Sequence, residues 1–377
     1  MHRSFIATAA ALLLAVPAFG QLHGLPPDGD NQRSTVTQNI GVVKVSIEYS
    51  SPDVHAPNGE DRRGRIWGEL VPYGMSTQAF GTCGDQCPWR AGANYNTIFT
   101  VSHDVTVQGQ PLAAGSYGLH MIPAKDADWT IIFSKNASSW GSFFYDVKDD
   151  ALRVTTKPSK SDYHEWLTYE FTDRQADKAT AALKWEELQV PFTIAVPDVA
   201  AVHLAAVRAE LRDDTGFSWQ NWVNAAQYAL SVKHPKEALE FADAAVNRRF
   251  VGLENFQTLN TLAMAQEAAG LATEAKATRE KAMNHPTASA IDLHQYARQL
   301  LNQGKKEEAL RIWELNSKRH PNQWPVNVGL ARGYSANGKY KDALKYAKLA
   351  LAQAPDDLNK RNLEAGIKKL EAGQDMN

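Results

Sequence analysis

Three alanines, Ala275, Ala309 and Ala343, stand 34 residues apart, and that spacing constrains the chain more than any other feature. A period of this length is one supersecondary unit that cannot bury its apolar face alone and stacks on copies of itself. Each alanine lies five residues beyond a glycine (Gly270, Gly304, Gly338) and is followed seven residues later by Ala282, Asn316 or Ala350. Small residues seven apart share one helix face, where a second helix can cross closely. The glycines then mark the turn within each helix pair. An earlier copy carries Trp222, Ala238 and Ala245, with 37 residues from Ala238 to Ala275, so an insertion is expected around Phe250 to Asn255.

The last copy has the fullest set of signature residues: Leu330, Ala331, Tyr334, Gly338, Tyr340, Ala343, Ala350 and Pro355. This pattern resembles the tetratricopeptide repeat, a helix-turn-helix unit, and the resemblance implies a solenoid that binds a protein or peptide partner. Four copies are expected over residues 219–250, 256–289, 290–323 and 324–357, with a capping helix from Asp357 to Ala372; residues 219–373 form the array. The first helix of each pair lines the concave face. Gln227, Met264, Arg298 and Arg332 take equivalent groove positions, with Asn260 and His294 one turn earlier. Arg298 and Arg332 are expected to be neighbours, suited to an acidic segment or a peptide carboxylate, unless each pairs within the array.

A chain of 377 residues has room for a second core. With 44% hydrophobic residues and a net charge of −2, the chain reads as globular and offers no electrostatic footprint for nucleic acid. Residues 1–20 read as a secretory signal peptide: Arg3, an apolar run from Phe5 to Val16, and small residues Ala18 and Gly20 before the expected cleavage site. The run is short for a membrane span, and no later one is longer. The expected address is periplasmic or extracellular. In an oxidising compartment Cys83 and Cys87 favour a small-loop disulfide over two free thiols or a metal pair.

Residues 21–40 are polar and read as a flexible lead-in. Alternation then begins: Val43, Val45, Ile47 and Tyr49 on one face, Lys44, Ser46, Glu48 and Ser50 on the other. Further short strands are expected at 97–102, 105–107, 117–122, 129–134, 152–156, 167–171 and 190–196, separated by turn signals such as Gln108-Gly109-Gln110-Pro111. Strands without intervening helices predict an antiparallel β-sandwich or barrel over 41–196, joined to the helical array by a connecting segment at 197–218. The whole is an α+β multidomain chain.

Gly68 to Gly74, Trp89-Arg90-Ala91-Gly92-Ala93-Asn94, Leu112 to Pro123 and Trp129 to Asn136 follow in order. This series resembles an exported bacterial family, domain of unknown function 2911, over residues 35–195. The resemblance implies no activity. Met75 to Pro88 departs from the family pattern as an inserted loop that carries both cysteines.

Motifs that carry chemistry are scarce. Gly333 to Lys339 has phosphate-loop spacing, but Tyr340 stands where a Ser or Thr would hold magnesium. His164-Glu165 begins like a zinc-protease helix, yet Thr168 replaces the second histidine. Arg90 and Asn94, beside Gly92 and Ala93, are ligand-binding candidates because small neighbours admit a ligand to backbone and guanidinium together. The alternative is a structural arginine paired with Glu48 or Glu69. His120 and Glu48 are candidate catalytic groups; His120 with His103 and Asp104 fits no strong metal-ligand spacing. Trp67, Trp89, Trp129 and Trp140 form either a sugar-stacking platform or a core.

The sequence therefore predicts an exported, non-enzymatic interaction or scaffold protein without metal or cofactor, whose β-domain docks to a ligand or surface and whose repeats bind a partner. The competing readings are a cell-envelope hydrolase and a carbohydrate-binding protein, each with its site in the β-domain.

Overall fold

The computed structural model describes residues 31–377, so the expected signal peptide and residues 21–30 lie outside the described residues. The chain divides into two compact units between Val199 and Ala200.

The first unit is a pair of antiparallel sheets. One contains β1 (Gln32–Ile40), β2 (Val43–Ser51), β3 (Thr97–Val101), β6 (Gly115–Ile122), β7 (Trp129–Ser134) and β8 (Asp150–Thr156), in that spatial order. The other runs β5 (Gln110–Leu112), β4 (Val105–Val107), β10 (Lys178–Ala195) and β9 (Ser159–Thr172). Neither sheet closes on itself, so the architecture is a sandwich and not a barrel. Alternation drives this packing: Ile47, Phe99, Leu119 and Phe133 of the first sheet are fully buried, as are Leu167, Leu183 and Phe192 of the second. Across the core the Phe133 and Phe192 rings lie 6.1 Å apart and those of Tyr49 and Tyr169 4.9 Å. Edge-to-face pairs at such separations add to simple area burial.

Three features depart from the sequence expectation. Residues 32–40, read as flexible, form β1, a polar edge strand closed onto β2 through Gly41 at φ +58°. An edge strand with one buried neighbour needs little apolar content. Second, the turn expected at 108–111 is a two-residue hairpin, Gln108-Gly109, both at positive φ, and Gln110 opens β5. Third, β9 and β10 are 14 and 18 residues long, far beyond the short strands expected there. Glu186, at φ +55°, marks a bulge between them. Pro191 sits where β10 has left β9 at Gln189 and has not yet met β4 at Ile194, so no ladder bond is lost.

The long β2–β3 connection, residues 52–96, is fastened to the sandwich instead of hanging free. Val54 N–H donates to Glu165 O at 2.9 Å, and Trp89 exchanges two 2.8 Å backbone bonds with Met121 of β6. Within it, Ser76 bridges Cys87, and Cys83 and Cys87 form a disulfide packed on Ile132 and Tyr145.

The second unit is helical. α1 (Val199–Glu210), expected as a connector, is a helix that packs on the first pair: Arg208 pairs with Glu240 at 2.7 Å and His203 lies 4.8 Å from the Tyr228 ring. The pairs are α2 (Trp219–Ser231) with α3 (Pro235–Asn247), α4 (Phe256–Ala268) with α5 (Ala272–Asn284), α6 (Ala290–Asn302) with α7 (Lys306–Arg319), and α8 (Trp324–Ala336) with α9 (Tyr340–Ala352). Then α10 (Asp357–Glu371) covers the last pair through Leu363, Ile367 and Leu370. The signature small residues Ala238, Ala275, Ala309 and Ala343 are all buried, as are Ala245, Ala282, Asn316 and Ala350. Gly270, Gly304 and Gly338 hold φ between +74° and +80° at the intra-pair turns. In the first pair Lys233 occupies that left-handed position at φ +63°, where a side chain is disfavoured.

Neighbouring helices pack closely through the array with one exception. α5 and α6 approach each other far less than the others do, and α4 stands off from α6. Side chains bridge this join: the Arg319 guanidinium donates to Met283 O at 2.8 Å and His285 O at 2.7 Å, and one apolar core runs through Met283, Ala288 and Leu293.

Candidate functional site

The segment Trp89–Asn94 curls away from β6. Ala91 and Asn94 both take left-handed backbone, φ +51° and +53°. That conformation costs an L-residue about 1 kcal/mol or more and persists only when its surroundings impose it. Here Ala91 O accepts from Thr97 Oγ1 at 3.0 Å and Tyr169 Oη at 2.9 Å, while Ala93 N–H donates to Ser50 O at 3.1 Å. The curl presents half-buried Arg90 to a cavity of about 320 Å³. Its Nη1 donates to Asn94 O at 2.5 Å and its guanidinium lies 4.9 Å above the Phe143 ring. At Gly141, φ +55°, a Cβ would come within 2.5 Å of that guanidinium, so glycine there admits the close approach. Burial lowers the Arg90 pKa, and no carboxylate offsets it. Asn94 contributes its main-chain carbonyl and turn geometry.

His120 lies beside this cavity, buried in β6, with Nδ1 2.9 Å from Ser142 Oγ. Burial, and secondarily the Arg90 charge, hold its pKa at about 3. Glu48 is on the other side of the alternation, half-exposed, and accepts from Arg33 Nε at 2.7 Å. The structure thus brings His120 near Arg90 and leaves Glu48 elsewhere, so the three do not form the cleft expected of a hydrolase. A pairing of Arg90 with Glu48 or Glu69 is also absent. The arginine–carboxylate pair in the cavity wall is Arg62 with Asp53, 3.2 Å apart.

Among the described residues no group of three metal-ligating side chains occurs. His103 Nδ1 is 2.8 Å from Ser102 Oγ, and Asp104 accepts from Ala114 N–H at 2.8 Å; both belong to turns. His164 and Glu165 are on strand β9, not a helix, and Glu165 pairs with His55 at 2.9 Å. Nor do the indoles form a platform. Trp67 meets Trp89, Trp129 and Trp185 edge-on at 5.1 to 5.7 Å, a packed cluster, while Trp140 lies 4.5 Å from Tyr95.

In the helical unit, His294 and Arg298 of α6 and Arg332 of α8 line one concave cavity of about 210 Å³ with Trp324. The guanidinium of Arg298 acts on both Arg332 and His294 as a like charge. Burial is the larger cause that depresses the Arg332 pKa, and Asp375 is the carboxylate that partly restores it. His294 is 8% exposed, and burial, then Arg298 and Arg332, hold its pKa at about 4. Its ring bonds the Pro325 carbonyl, which fixes the proton on Nε2 and leaves Nδ1 an acceptor without a donor. Trp324 Nε1 is buried there without an acceptor.

Residues 374–377 lie across this groove. Ser335 Oγ donates to Asp375 Oδ1 at 2.7 Å, Met376 N–H donates to Ser335 Oγ at 2.9 Å, and Asn377 Nδ2 donates to Arg332 O at 3.1 Å. Met376 packs against Gly366, whose Cβ, if present, would be 2.8 Å from its methyl. Gln227 is exposed on α2, and Asn260 bonds Met264 Sδ on α4. Neither lines the cavity, whose walls come from α6, α8, α10 and Met376, while Gln227 and Asn260 belong to earlier repeats.

Residues 31–194 match the family model of DUF2911, a protein of unknown function. The DUF2911 match covers the sandwich, including the Trp89–Asn94 curl and every strand. No match was found among the curated proteins. The helical unit overlays on solved repeat structures. One is YrrB, described as a TPR protein with an unusual peptide-binding site, at 18% identity over 44% of this chain and 83% of that chain, TM-score 0.30. Another is a tetratricopeptide repeat protein from Parabacteroides merdae, at 18% over 41% and 60%, TM-score 0.33. A third is a TPR protein of Thermus thermophilus, at 18% over 46% and 90%, TM-score 0.29. The repeat architecture of this chain stands on its own helix pairs, buried signature residues and left-handed glycine turns.

Sequence reasoning missed Ser142, Trp185 and the Asp53–Arg62 pair around the DUF2911 cavity, and Trp324 and Asp375 in the groove. No local pattern joins residues so far apart in the chain, although the orphan tryptophan in an otherwise repeat-conforming helix start was a visible signal for Trp324.

Proposed function

We propose that this is an exported interaction protein whose helical array binds a short acidic peptide segment in the groove of α6, α8 and α10. One observation carries the reading: Arg298 and Arg332 line one groove, and the carboxylate that acts on Arg332 is Asp375 in the segment lying over it. The orphan Nδ1 of His294 supplies an acceptor for a peptide N–H, and Trp324 Nε1 a donor for a carbonyl. Clustered positive charge with both kinds of orphan polar atom suits a backbone that carries a carboxylate. Residues 1–20, read as a signal peptide, and the Cys83–Cys87 disulfide support an oxidising, exported setting, periplasmic or extracellular. Among the described residues no helix is long and apolar enough to cross a membrane.

The test is fluorescence anisotropy with a labelled peptide ending Gly-Gln-Asp-Met-Asn. Arg298→Glu with Arg332→Glu should abolish binding while the far-ultraviolet circular dichroism stays unchanged. Undiminished binding by the double variant places the site elsewhere.

A further inference from the structure

We propose that the cavity in the β-sandwich is a second, separate site, which binds a small organic carboxylate: the acid group on Arg90, the apolar body against Trp89 and Leu70. The argument starts from what the cavity lacks. Arg90 has a carbonyl and a ring as partners and no acid, although it is half-buried. Trp185 is 1% exposed, lines the same cavity, and its Nε1 has no acceptor. An orphaned buried donor is costly, about 1–3 kcal/mol, and rare enough to require an explanation. The Arg90 guanidinium borders the cavity without an acid, and the Trp185 ring forms part of the wall beside it.

The surroundings select among anions. The other charged pair in the wall, Arg62 with Asp53, is satisfied internally, so the cavity presents one uncompensated positive charge. A planar guanidinium matches a carboxylate fork. One such charge fits a monoanion better than a phosphate dianion. Leu70, Val71, Trp89 and the neighbouring prolines give the wall an apolar patch beside the polar Ser76, Gln78 and Ser142, which suits a ligand with a short hydrocarbon or ring body next to its acid. About 320 Å³ is at the small end of ligand pockets.

The site is also built to stay open. Two left-handed non-glycine residues, Ala91 and Asn94, are held by Thr97, Tyr169 and Ser50 so that Arg90 faces inward. Gly141 removes the one Cβ that would push its guanidinium aside. Backbone strain fixed by several partners around one side chain is the mark of a positioned group.

Isothermal titration of the full chain with 4-phenylbutyrate tests this. Saturable binding is expected, at least about ten-fold weaker for the neutral 4-phenylbutyramide and for Arg90→Gln, given the strength of charge-assisted bonds. Trp185→Phe keeps an aromatic wall and removes an N–H that is sealed from the cavity, so binding should change by less than about three-fold. Near-ultraviolet circular dichroism of the tryptophan cluster checks that both variants fold. Arg298→Glu with Arg332→Glu should leave this binding unchanged, which separates the site from the helical groove. Absence of saturable binding by 4-phenylbutyrate, phenylacetate and hexanoate overturns the proposal. So does binding that the amide or Arg90→Gln matches, or binding of inorganic phosphate in preference to all three acids.

Discussion

The sandwich cavity and the helical groove use the same chemical parts in different ways. Each sets arginine charge beside a buried, neutral histidine: Arg90 with His120 in one, where no acid acts on the arginine, and Arg298 and Arg332 with His294 in the other, where Asp375 acts on Arg332. In the cavity the arginine is held by strained backbone and by residues distant in the chain, Ser50, Thr97, Phe143 and Tyr169 among them. In the groove the arginines are placed by repetition, since residues 34 apart adjoin where successive first helices pack together, as α6 and α8 do. The first arrangement is fixed by side-chain bonds to its main chain. The second is covered in part by residues 374–377.

If the helical unit is a stacked array, its most damaging change is at a crossing point. Ala309 is fully buried where α7 meets its neighbours. Ala309→Trp should cost the array more than about 3 kcal/mol through overpacking, read as lost urea resistance at 222 nm, while the tryptophan cluster of the sandwich keeps its near-ultraviolet signal. Loss of both signals together would break the separation of the two regions.

The histidines sharpen the comparison further. Both have folded-state pKa values below the unfolded value of about 6.5, so the unfolded chain takes up the proton first and stability falls as pH drops. For His294 the window runs from about 6.5 to about 4, and for His120 from about 6.5 to about 3. Each contributes a slope of up to about 1.4 kcal/mol per pH unit within its window. His120→Asn should flatten the acid limb of the sandwich and His294→Asn that of the array, in urea titrations at pH 7, 5 and 4 with hydrogen exchange to assign the regions. Unaltered slopes would mean that the histidines are solvated in the native state.

Removal of residues 374–377 tests the openness of the groove. The acidic peptide should bind about three- to ten-fold more tightly once the covering segment is gone, by anisotropy, with no change in 4-phenylbutyrate binding. The smallest effect concerns Lys233, the exposed residue that stands at φ +63° where the later pairs have glycine. Lys233→Gly should stabilise the array by up to about 1 kcal/mol, seen as a small rise in melting temperature. A fall would show that its side chain has a role the turn geometry does not reveal.

Much of this molecule was written in period. The 34-residue spacing located α4 to α9, and the alternation from Val43 located β2 and, with its successors, most of the larger sheet. It also predicted that Arg298 and Arg332 adjoin, because helical repetition turns sequence distance into spatial proximity. What escaped was whatever depends on non-local pairing. β1 is polar because it is an edge. The lengths of β9 and β10 are set by their partnership with each other and not by the Val, Ile and Phe content of either. The cavity residues Asp53, Ser142 and Trp185 meet only because the 52–96 connection is stitched to the sandwich, and no window of sequence contains them. Gln227 and Asn260 were assigned to the groove by strict repetition, which the α5–α6 join interrupts.

That join has a further consequence. In a linear stack each unit is stabilised only by the ones it touches, so cooperativity passes along the array through its interfaces. Where α5 and α6 stand apart, the link is made by side chains: the apolar ones that carry one core from Leu262 and Met283 to Leu293, and the bonds from Arg319 to the carbonyls at 283 and 285. The array is then one domino row with a wider gap at its middle, across which a push passes mainly through side chains, so Arg319 and the apolar groups beside it set how firmly the peptide groove is tied to the half that adjoins α1.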